Sequence, residues 1–239
     1  MTKPFLIVKT GGTFDEYAAK HEDFEHWTAR RMGLAPGQWT CVDVRTGAIL
    51  PKPGRFAGIA VTGSHDMVTD DLPWIETSAR WLAEAAGAGL PIFGICFGHQ
   101  LLAHALGGKA GYHPKGPEIG TVPITLTPKA GDDPLFSALP NPFAAHVTHS
   151  QSALELPPDA VLLAHSDHDA HQAFRVGECT WGVQFHPEFD ADASRMYVLN
   201  QADKVKKMGQ DPKQVEAAVR PTPESTGLLK AFARFCMER

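Results

Sequence analysis

The sequence reads as an open α/β sheet with a β-rich insertion, and three observations carry that reading. Phe5–Val8, Gly58–Thr62 and Leu90–Ile95 are compact apolar runs, which suit parallel strands buried on both faces. Helical patterns alternate with them in the first half. In the second half, short strand candidates are joined by turns containing Pro, Gly and Asp, which favours hairpins.

Each element has its own warrant. Trp74–Ala86 reads as a helix, with Asp71 placed to cap it, Pro73 suited to its first turn, and Gly87 and Gly89 to stop it. His99–Leu106 is a second helix, ended by Gly107-Gly108. The strand candidates of the second half are Gly120–Leu126, Ala145–Val147, Val161–Ala164, Gln172–Val176 and Thr180–Phe185. Helices return at Ala191–Met208, Pro212–Val219 and Glu224–Met237, with Pro221-Thr222-Pro223 as a connector. In the last helix Leu228, Leu229, Phe232, Phe235 and Cys236 share one apolar face. The simplest count is a single domain over residues 1–239, with 190–239 as a helical C-terminal extension.

Composition excludes several classes of function. The net charge is −5, from 22 basic and 27 acidic residues, and nothing concentrates a basic face for nucleic acid. Lys204, Lys206 and Lys207 read as a solvated helix face. No apolar run approaches the ~20 residues that cross a bilayer, and Phe5–Val8 is too short for a signal-peptide core. Cys41, Cys96, Cys179 and Cys236 have neither zinc nor disulfide spacing, so reduced thiols and a cytoplasmic location are expected. His165, His168 and His171, interleaved with Asp167 and Asp169, match no zinc pattern and read as solvated residues of a hairpin turn; no metal is expected.

The chemistry concentrates in two segments. Gly94-Ile95-Cys96-Phe97-Gly98 follows an apolar strand and opens a helix, the cysteine counterpart of a nucleophile elbow. The helix N-terminus favours a Cys96 thiolate, and the Phe97 amide points to where an oxyanion would form. A thiol nucleophile needs a base, and the base needs an orienting group. His186-Pro187-Glu188 supplies both: Pro187 biases His186 towards an extended backbone, in which positions i and i+2 face the same way.

Gly94-Ile95-Cys96-Phe97-Gly98-His99-Gln100 and Gly182-Val183-Gln184-Phe185-His186-Pro187-Glu188 resemble the two signatures of the class I glutamine amidotransferases. Thr62-Gly63-Ser64-His65-Asp66, with Asp70, Asp71 and Trp74, is similar to the stand-alone branch related to the GMP synthase amidotransferase domain and the γ-glutamyl peptidases. The resemblance implies a flavodoxin-like three-layer α/β/α fold. It also implies a thioester mechanism on a γ-glutamyl carbonyl, with Cys96, His186 and Glu188 as triad, Gly63 and Phe97 as oxyanion donors, and no cofactor. Gln100 and the stretch His149-Ser150-Gln151 correspond to residues that hold the substrate's α-amino acid end. Glu118-Ile119-Gly120 falls at a substrate-side strand. The sequence contains neither a P-loop nor a G-x-G-x-x-G string, and the residues after Glu188 are too few for a synthase domain. The small-molecule substrate is therefore hydrolysed by this chain alone, or the ammonia passes to a separate synthase subunit.

Two other readings compete. Thr10-Gly11-Gly12-Thr13 resembles the threonine-nucleophile motif of bacterial-type asparaginases, against the plainer reading of a strand-end turn. An elbow cysteine also occurs in the DJ-1/PfpI superfamily of stress proteins and chaperones, where a histidine just after it, here His99, takes part.

Overall fold

The computed structural model describes residues 3–239. Five strands form a parallel half-sheet: β1 (Phe5–Lys9), β2 (Trp39–Asp43), β3 (Ile59–Val61), β4 (Ile92–Ile95) and, from late in the chain, β11 (Thr180–Val183). Their order is β2-β1-β3-β4-β11. Successive residues of β1 face opposite ways, as the pleat requires. Phe5 and Ile7 pack with α2 (Phe24–Met32) and α8 (Pro223–Met237) on one face. Leu6 and Val8 pack with α3 (Pro73–Gly87) and α4 (Phe97–Ala105) on the other. The layers are therefore α/β/α, as expected.

The insertion extends this sheet with antiparallel strands. β6 (Glu118–Leu126), β7 (Phe143–His149), β9 (Ala160–His165) and β10 (Ala173–Val176) complete nine strands in the order β2-β1-β3-β4-β11-β10-β9-β6-β7. β5 (Lys109–Tyr112) and β8 (Gln151–Glu155) form a separate antiparallel pair. Only Ser150 separates β7 from β8, so His149-Ser150-Gln151 is the corner where the chain leaves one sheet for the other.

The remaining helices are α1 (Asp15–His21), α5 (Ala191–Asn200), α6 (Ala202–Lys207) and α7 (Pro212–Ala217). Three expectations are corrected. Asp71 does not cap α3: the N-cap is Leu72, and Asp71 sits in the left-handed region at φ 53°. Pro73 at the first helical position removes one of the amides that a cap would serve. The expected helix Ala191–Met208 breaks into α5 and α6 at Gln201, whose side chain donates to Thr148 Oγ1 at 2.6 Å. The stretch 165–171 does lie in a turn between strands, but Asp169 is buried rather than solvated.

Candidate active site

The register of the parallel strands builds the site. Gly94 of β4 pairs with Val61 of β3 and with Gly182 of β11. The chain therefore leaves β3 at Thr62-Gly63, β4 at Cys96 and β11 towards His186 along one sheet edge. Ligand sites of open α/β sheets lie at that carboxyl edge.

At Cys96 the strand turns into α4. A strained positive-φ conformation falls on Cys96 itself, with φ 50° and ψ −99°, and its amide donates to Val183 O at 2.8 Å. The flanking glycines are required by space. A Cβ on Gly94 would stand 2.5 Å from Gly98 O, and one on Gly98 2.6 Å from Val61 O. Phe97 is the first residue of the helix, so no carbonyl within the helix can take its amide.

His186 and Glu188 are both buried, and Nδ1 of His186 stands 2.8 Å from Oε1 of Glu188. The pair forms across a turn, not along an extended strand: β11 ends at Val183, and Pro187-Glu188 is a turn closed by Phe189 N–H donating to His186 O at 3.4 Å. The remaining ring nitrogen, Nε2, has no hydrogen-bond partner among the described residues. Burial alone would lower the imidazole pKa. The negative charges of Glu188 and of a Cys96 thiolate outweigh it and raise His186 to about 10. Thr148 O lies 3.9 Å from Cys96 Sγ.

The Gly63 backbone lies against both groups, because a Cβ there would be 3.2 Å from His186 Cε1 and 3.8 Å from Cys96 Cβ. Thr10 fixes this loop. Its hydroxyl approaches Thr62 O at 2.8 Å and Gly63 O at 3.1 Å from a fully buried position. Gly11 packs against the same loop, since a Cβ on it would stand 2.4 Å from Ser64 Cα. The Thr10–Thr13 motif is thus a strand-end turn that supports the Gly63 loop.

Gln100 is buried and donates to Gln151 O at 2.7 Å and to Gln184 Oε1 at 3.1 Å. His149 spans the corner inward, Nδ1 at 3.0 Å from Gln151 O and Nε2 at 3.0 Å from Glu118 Oε2. Glu118 also accepts from Ser166 and from Gln172. Asp169 accepts from Ser152 and from the His171 amide. Gln100, His149, Ser150 and Gln151 line one cleft of about 350 Å³ together with Cys96, Phe97 and His186. Among the described residues no three His, Cys, Asp or Glu side chains gather in a way that could hold a metal ion. No helix among them is long and apolar enough to cross a membrane.

His99 is fully buried, packs at 4.9 Å on Phe174 and is not part of the cleft wall. Burial pushes its pKa down to about 4. It is not in position to partner Cys96 as the DJ-1/PfpI reading requires.

Several residues of the site carry no local sequence signal. His146 O accepts the His186 amide at 2.8 Å. Tyr197 faces the cleft from a remote segment. Phe189 stacks on the His186 ring at 4.2 Å. Only Phe189, an aromatic directly after Glu188, could have been picked out.

The arrangement gathers a cysteine and a hydrogen-bonded histidine–glutamate pair at one sheet edge, against the Gly63 backbone and the N-terminus of α4. Residues 25–204 match the family described as glutamine amidotransferase class-I. The chain is 32% identical over 189 residues to a glutamine-hydrolysing GMP synthase subunit of Ignicoccus hospitalis, covering 77% of this chain and 87% of that protein. It is 30% identical over 159 residues to gamma-glutamyl peptidase 5 of Arabidopsis thaliana, covering 66% of this chain and 63% of the peptidase. A glutamine amidotransferase structure from Thermotoga maritima shares the fold over the full length of both chains, with a TM-score of 0.78 at 20% identity. The chain belongs to the class I glutamine amidotransferase family.

Proposed function

We propose that the chain hydrolyses the γ-carbonyl of glutamine or of a γ-glutamyl compound through a thioester on Cys96. The observation that carries this reading is the meeting of Cys96, His186 and Glu188 at one sheet edge, with Cys96 and His186 in the cleft that Gln100 and Gln151 also line. The Cys96 thiolate attacks the γ-carbonyl carbon, and the oxyanion lies toward the amides of Gly63 and Phe97. The carbon–nitrogen bond breaks as His186 gives its proton to the departing nitrogen. Water then attacks the thioester, His186 takes a proton from it, and glutamate leaves as the thiolate returns. Glu188 holds the imidazole in place and balances its charge. Gln100 and the His149–Gln151 corner receive the α-amino acid end.

Replacing Cys96 with alanine or serine should lower hydrolysis of glutamine and γ-glutamyl compounds by roughly a thousandfold or more, as losses of nucleophiles do. Activity that survives Cys96→Ala would overturn the assignment. The likeness to the GMP synthase subunit of Ignicoccus hospitalis favours a second reading, in which the released ammonia passes to a separate synthase chain. Assays of glutamine hydrolysis with and without cell extract separate the two. Turnover that appears only with extract points to the partner, and full turnover without it to hydrolysis by this chain alone.

A further inference from the structure

Resting on the reading above, we propose that the cleft carries a leaving-group subsite for an amine with an aromatic or large apolar side chain and a carboxylate. The preferred donors are then γ-glutamyl dipeptides with such a residue in second position, rather than glutamine.

The cleft has a second wall that the glutamyl end does not need. Phe14, Phe24, His65 and Tyr197 form it, and Lys204 stands with them. The rings are contiguous: Phe14 lies 4.9 Å from His65 and 5.1 Å from Tyr197, and Phe24 lies 6.5 Å from His65. Ammonia, a single heavy atom, gives such a wall nothing to bind. A phenyl or branched side chain gives it apolar area and ring stacking.

This wall adjoins the atom that releases the amine. Phe189 stacks on His186 at 4.2 Å and reaches Tyr197 at 4.9 Å. The substituent on a nitrogen protonated by His186 therefore starts its path beside these rings. Two polar atoms of the wall are engaged within it: His65 Nε2 meets the Tyr197 hydroxyl at 3.0 Å, and that hydroxyl donates to Thr13 Oγ1 at 3.1 Å. Phe24 and Tyr197 are buried behind the wall, and the ring surface it offers the cleft comes chiefly from half-buried Phe14 and exposed His65. Packing and the positive charges of Lys204 and His186 hold His65 below its ordinary pKa, so the wall stays uncharged near neutrality.

Lys204 supplies the charge. Its ammonium donates to Gln201 Oε1 at 3.1 Å and makes no salt bridge among the described residues. A carboxylate on the leaving amine would complete it. Asp66 lines the same cleft and opposes a second negative charge, which disfavours acidic side chains.

The test is kcat/KM on glutamine, γ-glutamylalanine, γ-glutamylphenylalanine and γ-glutamylphenethylamide. We expect γ-glutamylphenylalanine to exceed both glutamine and γ-glutamylalanine at least tenfold, a range that apolar pockets reach. Phe14→Ala should cost γ-glutamylphenylalanine at least tenfold more than it costs glutamine. Lys204→Ala, an exposed change, should cost γ-glutamylphenylalanine severalfold more than the phenethylamide, which lacks the carboxylate. Equal rates on the alanine and phenylalanine dipeptides, or equal losses on all substrates in both variants, would overturn the subsite while glutamine hydrolysis leaves the thioester reading standing. No hydrolysis of any of the four by the unaltered chain, with or without cell extract, would overturn both.

Discussion

In the proposed reaction His186 is the residue on which the chemistry turns, because a buried imidazole keeps its proton only if negative charge faces it. Glu188 and a Cys96 thiolate provide that charge and raise it to about 10. The loss of kcat/KM on the alkaline side should therefore set in as pH approaches 10, and Glu188→Gln should shift it downward. An alkaline limb near 6.5, the value of a free imidazole, would contradict the pairing. Stability follows the same sign. A folded-state pKa above the unfolded one adds stability that is complete below about 6.5 and is lost as pH rises through about 10. The unfolding free energy lost in Glu188→Gln, measured by urea denaturation, should accordingly shrink across that window. His186→Ala should abolish hydrolysis, with Glu188→Ala retaining more, since an orienting group is less critical than the base it orients. Cys96, His186 and Glu188 were legible because each sits in a short pattern with a chemical reason. Tyr197 was not, because it meets His65 of the Thr62–Asp66 segment only through the fold, 132 positions away in the chain.

At the scale of elements, the elbow depends on close contact between strand and helix. Gly98→Ala would place a Cβ 2.6 Å from the Val61 carbonyl, and backbone cannot yield as a side-chain tip can. We expect a destabilisation of about 1–3 kcal/mol by urea unfolding, with activity falling as β3 and α4 part. Thr10→Val keeps the volume but removes the hydroxyl between Thr62 O and Gly63 O. It should cost about 1 kcal/mol and lower kcat while Cys96 stays in place. If Thr10→Val instead erased all hydrolysis while Cys96→Ala did not, the threonine-nucleophile reading would replace this one. Elements with strong local patterns were readable: β1, β3, β4, α3 and α8 fall within a few residues of their expected bounds. The edge strand β2 was missed because its residues are only partly buried and show no continuous apolar run. α1 was missed because it buries no residue, while α2 carried an Asp23 cap and a left-handed Gly33 that could have been read. The break between α5 and α6 falls at Gln201, whose side chain reaches Thr148, a contact that local pattern does not encode.

At the scale of the molecule, three neighbouring parallel strands deliver Gly63, Cys96 and His186 to one edge, although β4 and β11 are separated by the whole β-rich insertion. That insertion contributes the His149–Gln151 corner and its buried Glu118 anchor. The sequence announced hairpins there but not which strands would pair, since antiparallel partners far apart in the chain leave no shared period. The return of β11 beside β4 is what turns two separate motifs into one site. Labelling with 6-diazo-5-oxo-norleucine, a glutamine-like affinity reagent, followed by peptide mass spectrometry, tests this most directly. The account expects a single adduct on Cys96, lost in Cys96→Ala and suppressed by excess glutamine. An unlabelled chain, or an adduct on Cys41, Cys179, Cys236 or Thr10 in place of Cys96, would contradict it.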